Sequence, residues 1–208
     1  VISSGATFSA AENQKAIGSV SASDAEGDDL TYAVSGSEIS IDSSGVLSFI
    51  TAPDYEAKSS YSVTVTVNDG VNSTSQDITI NITNVNDVAP VISSSATFNA
   101  AENQTAIGSV SASDAEGDDL TYTVSGSEIS ISSSGVLTFV SAPDYESKTT
   151  YTSTVTVSDG VNSVTQNITV NITNVNDVAP VISSSATFNA AENQTAIGTV
   201  EATDPEGD

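Results

Sequence analysis

The chain has 208 residues, with 27 acidic side chains against three lysines and neither histidine nor cysteine, so its net charge is −24. This charge excludes nucleic acid and polybasic membrane contact, because almost nothing could neutralise phosphates. The missing cysteine and histidine exclude disulfides, zinc sites and Cys/His catalysis. No apolar run is long enough to span a bilayer, so we expect no direct membrane insertion. Repulsion among the acidic side chains opposes a compact state unless counter-ions bind, which favours cations as ligands. The alternative is an acidic surface that serves only solubility in a salty medium.

The chain repeats itself with a period of 90 residues. VISSGATFSAAENQ begins at Val1, and VISSSATFNAAENQ begins at Val91 and again at Val181. Residues 1–90 and 91–180 differ at 18 positions, without insertion or deletion. A unit of this length is a small domain. The predicted domains are 1–90 with a linker at 84–90, 91–180 with a linker at 174–180, and 181–208 as the start of a third repeat.

The first repeat is predicted to form seven short strands and no helix. Alternation of β-branched with polar residues is strict in the last two strands and weaker in the others. Turns carry Gly or Asp-Gly. This pattern predicts an all-β fold of tandem seven-stranded antiparallel Greek-key sandwiches, immunoglobulin-like, followed by a partial third repeat. In chain order the predicted strands are Thr7–Ala10, Ile17–Ser23, Leu30–Ser35, Ile39–Ile41, Val46–Ile50, Tyr61–Val67 and Gln76–Ile82.

The acidic residues of each repeat fall into five clusters, mostly at turns and strand ends. None of the 18 differences touches these clusters, whereas Asp42 and Asp77, outside them, are replaced by Ser132 and Asn167. Ca²⁺ prefers six to eight oxygen ligands from carboxylates, amides and carbonyls and tolerates irregular geometry. The clusters therefore predict Ca²⁺ sites. Their members in the first repeat are Glu12; Asp24, Glu26, Asp28 and Asp29; Asp54 and Glu56; Asp69; and Asp87.

Five strings resemble, in the same order, the motifs of cadherin repeats, above all the bacterial cadherin-like repeats of extracellular surface adhesins. Two departures stand out: Asp24-Ala25-Glu26 replaces D-A-D, and the linker opens on Asn84 instead of an acid. The five strings are A-E-N at 11–13, A-S-D-A-E-G-D at 22–28, A-P-D-Y-E at 52–56, V-N-D-G at 67–70 and N-V-N-D-V-A-P at 84–90.

The resemblance implies Ca²⁺ bound at the junctions between repeats, with ligands from both neighbours. Asp24, Glu26 and Asp69 are the corresponding candidates at the start of the first repeat. The second junction has no counterpart of Asp69, so we expect it to be under-coordinated. The implied ligands of the first junction are Glu12, Asp54, Glu56, Asn86, Asp87, Asp114, Glu116, Asp118 and Asp159. Those of the second are Glu102, Asp144, Glu146, Asn176, Asp177, Asp204 and Glu206.

These observations predict a non-enzymatic segment of an extracellular, cell-surface stalk or adhesin that Ca²⁺ makes rigid. A glycosidase-like pair of carboxylates would need an acid in an apolar pocket beside a cleft, which crowded acids and scarce aromatics do not favour. Two other functions remain open: a module that binds polysaccharide or like repeats on another cell, and a subunit of an extracellular filament. The expected partners are neighbouring repeats, like chains or cell-surface polysaccharide.

Overall fold

A computed structural model describes residues 1–206, and every regular element in that range is a β-strand. This confirms the all-β prediction. The chain divides into two compact units, Val1–Val88 and a second that begins at Ala89. The described residues contain no helix that could serve as a membrane span.

The first unit is a sandwich of a four-stranded and a three-stranded sheet. The larger sheet has the order β1-β7-β6-β3 and the smaller the order β2-β5-β4. The strands are β1 (Thr7–Ala11), β2 (Ala16–Ser19), β3 (Thr31–Val34), β4 (Ile39–Ile41), β5 (Val46–Phe49), β6 (Ser60–Asn68) and β7 (Ser73–Thr83).

The core follows from period-two alternation in the β6–β7 hairpin. Val65 on β6 and Ile80 on β7 are both fully buried, while the residues between the apolar positions face outward. From the smaller sheet, Leu47 and Phe49 close the core against them. The Phe49 ring meets the Tyr61 ring edge-on, with 5.0 Å between centroids. Burial of one face of each sheet therefore fixes the register of both.

One pairing differs from the expected antiparallel pattern. Strand β1 lies parallel to β7, with Thr7 opposite Thr79 and Ala11 opposite Thr83. No tight turn joins these two strands, which stand at opposite ends of the repeat, so turn geometry does not impose an antiparallel direction. All other strand pairs of the first unit are antiparallel.

The predicted strand Ile17–Ser23 is shorter in the structure. Its register against β5 shifts between Ala16 and Gly18, and β2 ends at Ser19. The chain then leaves β5, and Ala22 forms a separate bridge with Ile2. Gly18 has φ 152°, and a Cβ there would lie 2.9 Å from the Phe8 ring, so the position needs glycine.

The second unit repeats this sandwich. Its sheets have the orders β12-β15-β16-β9 and β10-β14-β13, with β8 paired to β11 beside them. Residues of the third repeat add one short antiparallel pair, β17 with β18. The strands are β8 (Val91–Ile92), β9 (Thr97–Ala101), β10 (Ala106–Ser109), β11 (Ala112–Ser113), β12 (Thr121–Val124), β13 (Ile129–Ile131), β14 (Val136–Phe139), β15 (Thr150–Ser158), β16 (Ser163–Thr173), β17 (Val181–Ile182) and β18 (Ala202–Thr203).

Candidate metal centre

Glu102 is a buried carboxylate at the end of β9, with 2% of its surface exposed. Its Oε1 accepts a hydrogen bond from the Val175 amide at 2.7 Å, and its Oε2 accepts one from the Tyr145 amide at 2.8 Å. Glu12 in the first unit makes the same two contacts, with Val85 and Tyr55. The carboxylate therefore holds the linker beside the turn that follows Pro143.

Asn103, the next residue, was not predicted to contribute to the site. Its backbone is left-handed, with φ 61°, and its side-chain amide donates a hydrogen bond to Asp177. Asn13 has the same conformation and donates to Asp87. Asn tolerates this backbone region better than most residues. The sequence signal is the A-E-N string, in which the Asn directly follows the predicted ligand Glu.

Four carboxylates of the second unit converge beyond these contacts. Glu102, Glu146, Asp177 and Glu206 each offer one oxygen, and the four oxygens lie within 4.8 Å of one another. Two ligands on opposite sides of a Ca²⁺ ion are separated by roughly 5 Å, because each bond is about 2.3–2.6 Å long. The spacing therefore fits one hard cation. Asp144 lines the same open cavity, whose volume is about 480 Å³.

The electrostatics of this group favour a cation. Partial desolvation, followed by the negative charges of Glu102, Glu206 and Asp144, raises the pKa of Glu146. Glu206 accepts a hydrogen bond from the Asp177 amide on Oε1, at 2.7 Å. Its Oε2 is buried, and no donor within residues 1–206 contacts it. Burying a carboxylate oxygen without a donor costs free energy, which a positive partner would offset.

Two further groups form within single units. In the first unit, oxygens of Glu12, Glu56 and Asp87 lie within 4.8 Å of one another. In the second, Asp114, Glu116 and Asp118 converge to the same distance. The latter group is gathered by its own turn, because Asp114 Oδ1 accepts amide hydrogen bonds from Glu116, Gly117 and Asp118.

The remaining predicted carboxylate ligands lie outside these converging groups within residues 1–206. Asp54 and Asp144 cap the turns that follow them, accepting from the Ala57 and Ser147 amides. The other carboxylates also accept backbone amides in local turns. Asp69 does so from Val71 and Asn72, Asp159 from Val161 and Asn162, Asp24 from Glu26, Gly27 and Asp28, and Asp204 from Glu206. Glu26 also lies outside the converging groups, and Asn86 and Asn176 are the amide members of the predicted set.

Comparison with known proteins identifies the family. A model of the bacterial Ig domain matches residues 1–83 and 86–173. Chitinase A of Pseudoalteromonas piscicida is 36% identical over 155 residues, which are 72% of this chain and 19% of the chitinase. The chain thus spans about a fifth of that relative's length.

Solved structures of cadherins share the fold. Domains EC22–24 of mouse cadherin-23 match with a TM-score of 0.76 and 21% identity, over 96% of this chain and 74% of that chain. Domains EC1–2 of human protocadherin-24 match with a TM-score of 0.68 and 17% identity, over 82% of this chain and 94% of that chain. The chain therefore belongs to the bacterial Ig domain family, and its repeats have the fold of cadherin extracellular domains.

Proposed function

We propose that this chain is part of an extracellular surface protein in which Ca²⁺ bound at repeat junctions stiffens a tandem array. One observation carries the proposal: Glu102, Glu146 and Asp177 of the second repeat converge with Glu206 of the third to within 4.8 Å. Residues from both repeats thus meet at a spacing that suits one cation. The proposal gives the segment a mechanical role and no catalytic one.

The chain's own residues prepare this site. Two amide hydrogen bonds fix Glu102, and the Asn103 side chain holds Asp177. Glu146 and Glu206 complete the group. The repulsion between their carboxylates opposes the close approach of these side chains until a positive charge offsets it. Bound Ca²⁺ would supply that charge and would coordinate several of these oxygens. Cation binding would thus stabilise the arrangement in which the two repeats share ligands.

We extend the proposal to the first junction, because its acidic residues match those of the second junction in the sequence. Glu12, Glu56 and Asp87 repeat the group formed by Glu102, Glu146 and Asp177, including the hydrogen bond from the neighbouring Asn. Asp114, Glu116 and Asp118 offer a second set of carboxylates at the start of the second repeat. We propose that Asp54, Asn86 and Asp159 add further oxygens to these ligands.

Calcium titration with matched thermal melts tests the proposal. Extracellular Ca²⁺ modules bind with Kd values of roughly 10⁻⁴–10⁻³ M, so millimolar Ca²⁺ should raise the melting temperature relative to EGTA. Small-angle scattering should show a longer and less variable chain in Ca²⁺. Equal amounts of Mg²⁺ should have a smaller effect, because Mg²⁺ gives up its waters reluctantly. Identical melts in EGTA and in Ca²⁺ would contradict the proposal.

The chitinase relative favours a second candidate function, a polysaccharide-binding accessory segment of a secreted protein. Retention of the 208-residue chain on chitin beads, measured in Ca²⁺ and in EGTA, distinguishes the two functions. Retention that EGTA abolishes supports a binding module. A chain that stiffens in Ca²⁺ and passes through the beads supports the spacer.

A further inference from the structure

We propose that Asn103 is a positioning residue of the second junction: by holding Asp177 in the linker before an ion binds, it sets the affinity of the site for Ca²⁺. The inference rests on the junction proposal and deepens it, since it names a residue that regulates the same site. Asn103 is not itself one of the ligands.

The backbone conformation of Asn103 indicates that its side chain is used. Its φ is 61°, and the matching Asn13 and Asn193 have φ 61° and 63°. Glycine adopts this left-handed region at the least cost, and Asn and Asp follow it. Asn at this position in all three repeats therefore gives up the conformational advantage of glycine. Of the three residue types, only Asn has a side-chain donor for a carboxylate, because ionised Asp only accepts.

Asn103 joins the three segments of the second repeat that carry the converging carboxylates. It directly follows Glu102 at the end of β9. Its backbone N–H donates to the Pro143 carbonyl at 2.9 Å, in the segment that leads to Glu146. Its side chain donates to Asp177 in the linker. One residue thus fixes the spacing of all three carboxylate-bearing segments.

Asp177 depends on this hydrogen bond because it lies exposed in the linker. Its side chain accepts from Asn103, and its amide donates to Glu206 Oε1 at 2.7 Å. The hold that begins at Asn103 therefore extends through Asp177 to the third repeat. A side chain that is already held loses less freedom when an ion binds, so ordering it costs less at that step.

The first repeat makes the same arrangement, and the third supplies a comparison. The Asn13 backbone N–H donates to the Pro53 carbonyl at 2.9 Å, and its side chain donates to Asp87. Asn193 has the same left-handed backbone, but its side chain donates to no linker residue within residues 1–206. Asn193 is therefore a matched control, with the same residue type and backbone and without the contact.

Hydrogen exchange of the 208-residue chain across a Ca²⁺ titration tests the inference. Peptides that include Ile80 or Val170 differ in mass, so the linkers 84–90 and 174–180 are followed separately. Asn103→Gly keeps the left-handed backbone and removes the side-chain amide. In EGTA it should speed exchange in linker 174–180 and leave the β15–β16 hairpin unchanged. The Ca²⁺ concentration at half-maximal protection of this linker should rise by about tenfold.

Two comparisons separate positioning from general stability. Asn193→Gly makes the same change without this hydrogen bond and should leave the half-protection concentration at its wild-type value, as should linker 84–90 in every chain. In Asp177→Ala the side chain that Asn103 holds is gone, so adding Asn103→Gly should raise the half-protection concentration no further. A residue that only stabilised the sandwich would add the same loss in both backgrounds.

Three results would overturn the inference and leave the junction proposal standing. These are an Asn103→Gly chain whose linker behaves as in the wild type, equal losses in Asn103→Gly and Asn193→Gly, and faster exchange throughout the β15–β16 hairpin, which would make Asn103 a residue of sandwich stability alone. A wild-type chain in which Ca²⁺ protects neither linker would overturn both proposals, so the two failures give different results.

Discussion

At the scale of the residue, the acids divide by what their oxygens contact. Asp42 accepts the amides of Ser44 and Val46, and in the second repeat the Ser132 hydroxyl accepts the equivalent two. Asp77 and Asn167 likewise accept hydrogen bonds from equivalent threonine hydroxyls, those of Thr64 and Thr154 respectively. A neutral acceptor suffices at both positions. Glu12 and Glu102 each accept two backbone amides and lie where other carboxylates converge, so a neutral acceptor would remove a charge from the group.

The Asp42 turn gives a pH prediction. The hydroxyl of Ser44, then the amides of Val46 and Ser44, lower the pKa of Asp42 from its ordinary value of 3.8. A carboxylate with a lowered pKa in the folded state stabilises the fold above its unfolded pKa, and that contribution is lost as the pH falls through the folded value. Asp42→Ser should therefore unfold more readily than the wild type at neutral pH, and the difference should disappear below the ordinary Asp range.

Urea unfolding at a series of pH values measures this difference. The reciprocal change, Ser132→Asp, is the matched control, because it should give the second repeat the stabilisation that Asp42→Ser removes from the first. A deficit in Asp42→Ser that stays constant into acid would contradict the electrostatic explanation and leave only turn geometry as the cause.

At the scale of the element, alternation predicted where strands lie but not how all of them pair. The β6–β7 hairpin followed directly from the pattern of Tyr61–Val67 and Gln76–Ile82. The parallel partner of β1 could not be predicted, since alternation is the same in both directions. The register shift of β2 against β5 occurs between Ala16 and Gly18, where Gly18 lies against the Phe8 ring of another strand. Local patterns carry no information about such contacts.

Two isoleucine-to-valine differences between the repeats contrast a buried position with an exposed one. Ile80 is fully buried and matches the equally buried Val170, whereas Ile50 is 53% exposed and matches the exposed Val140. Ile80→Val should lower the free energy of unfolding of the first repeat by about 0.5–1.5 kcal/mol, because a buried methylene group is lost. Ile50→Val should change it by less than about 0.5 kcal/mol.

Hydrogen exchange, followed peptide by peptide, reports the two repeats separately and measures both effects. The second repeat should keep its wild-type protection in both variants. Equal losses for the buried and the exposed change would contradict the assignment of the Ile80→Val effect to core packing.

At the scale of the whole molecule, the order of the acidic strings indicated a site at the junction, but not which oxygens meet. Glu102, Glu146, Asp177 and Glu206 converge, while Asp54 and Asp204 are engaged with turn amides. Sequence spacing cannot distinguish these cases, because a carboxylate beside a turn can cap the turn or point away from it. The left-handed Asn103 that holds Asp177 was missed for the same reason.

The convergence of like charges predicts an effect whose sign depends on the ion. In EGTA, Glu206→Gln removes one of the charges that raise the pKa of Glu146, so the variant should melt at a higher temperature than the wild type. In millimolar Ca²⁺ the same change removes an ionic ligand and should weaken binding by about tenfold, or about 1.4 kcal/mol, so the variant should melt lower. The Gln side chain keeps an oxygen that can accept from the Asp177 amide. Glu201→Gln, an exposed change in the same repeat and outside the converging group, should show no reversal. Calorimetric melts of the wild type and the two variants, with and without Ca²⁺, test this change of sign. A Glu206→Gln chain that melts below the wild type in both conditions would show that Glu206 is structural and not a ligand.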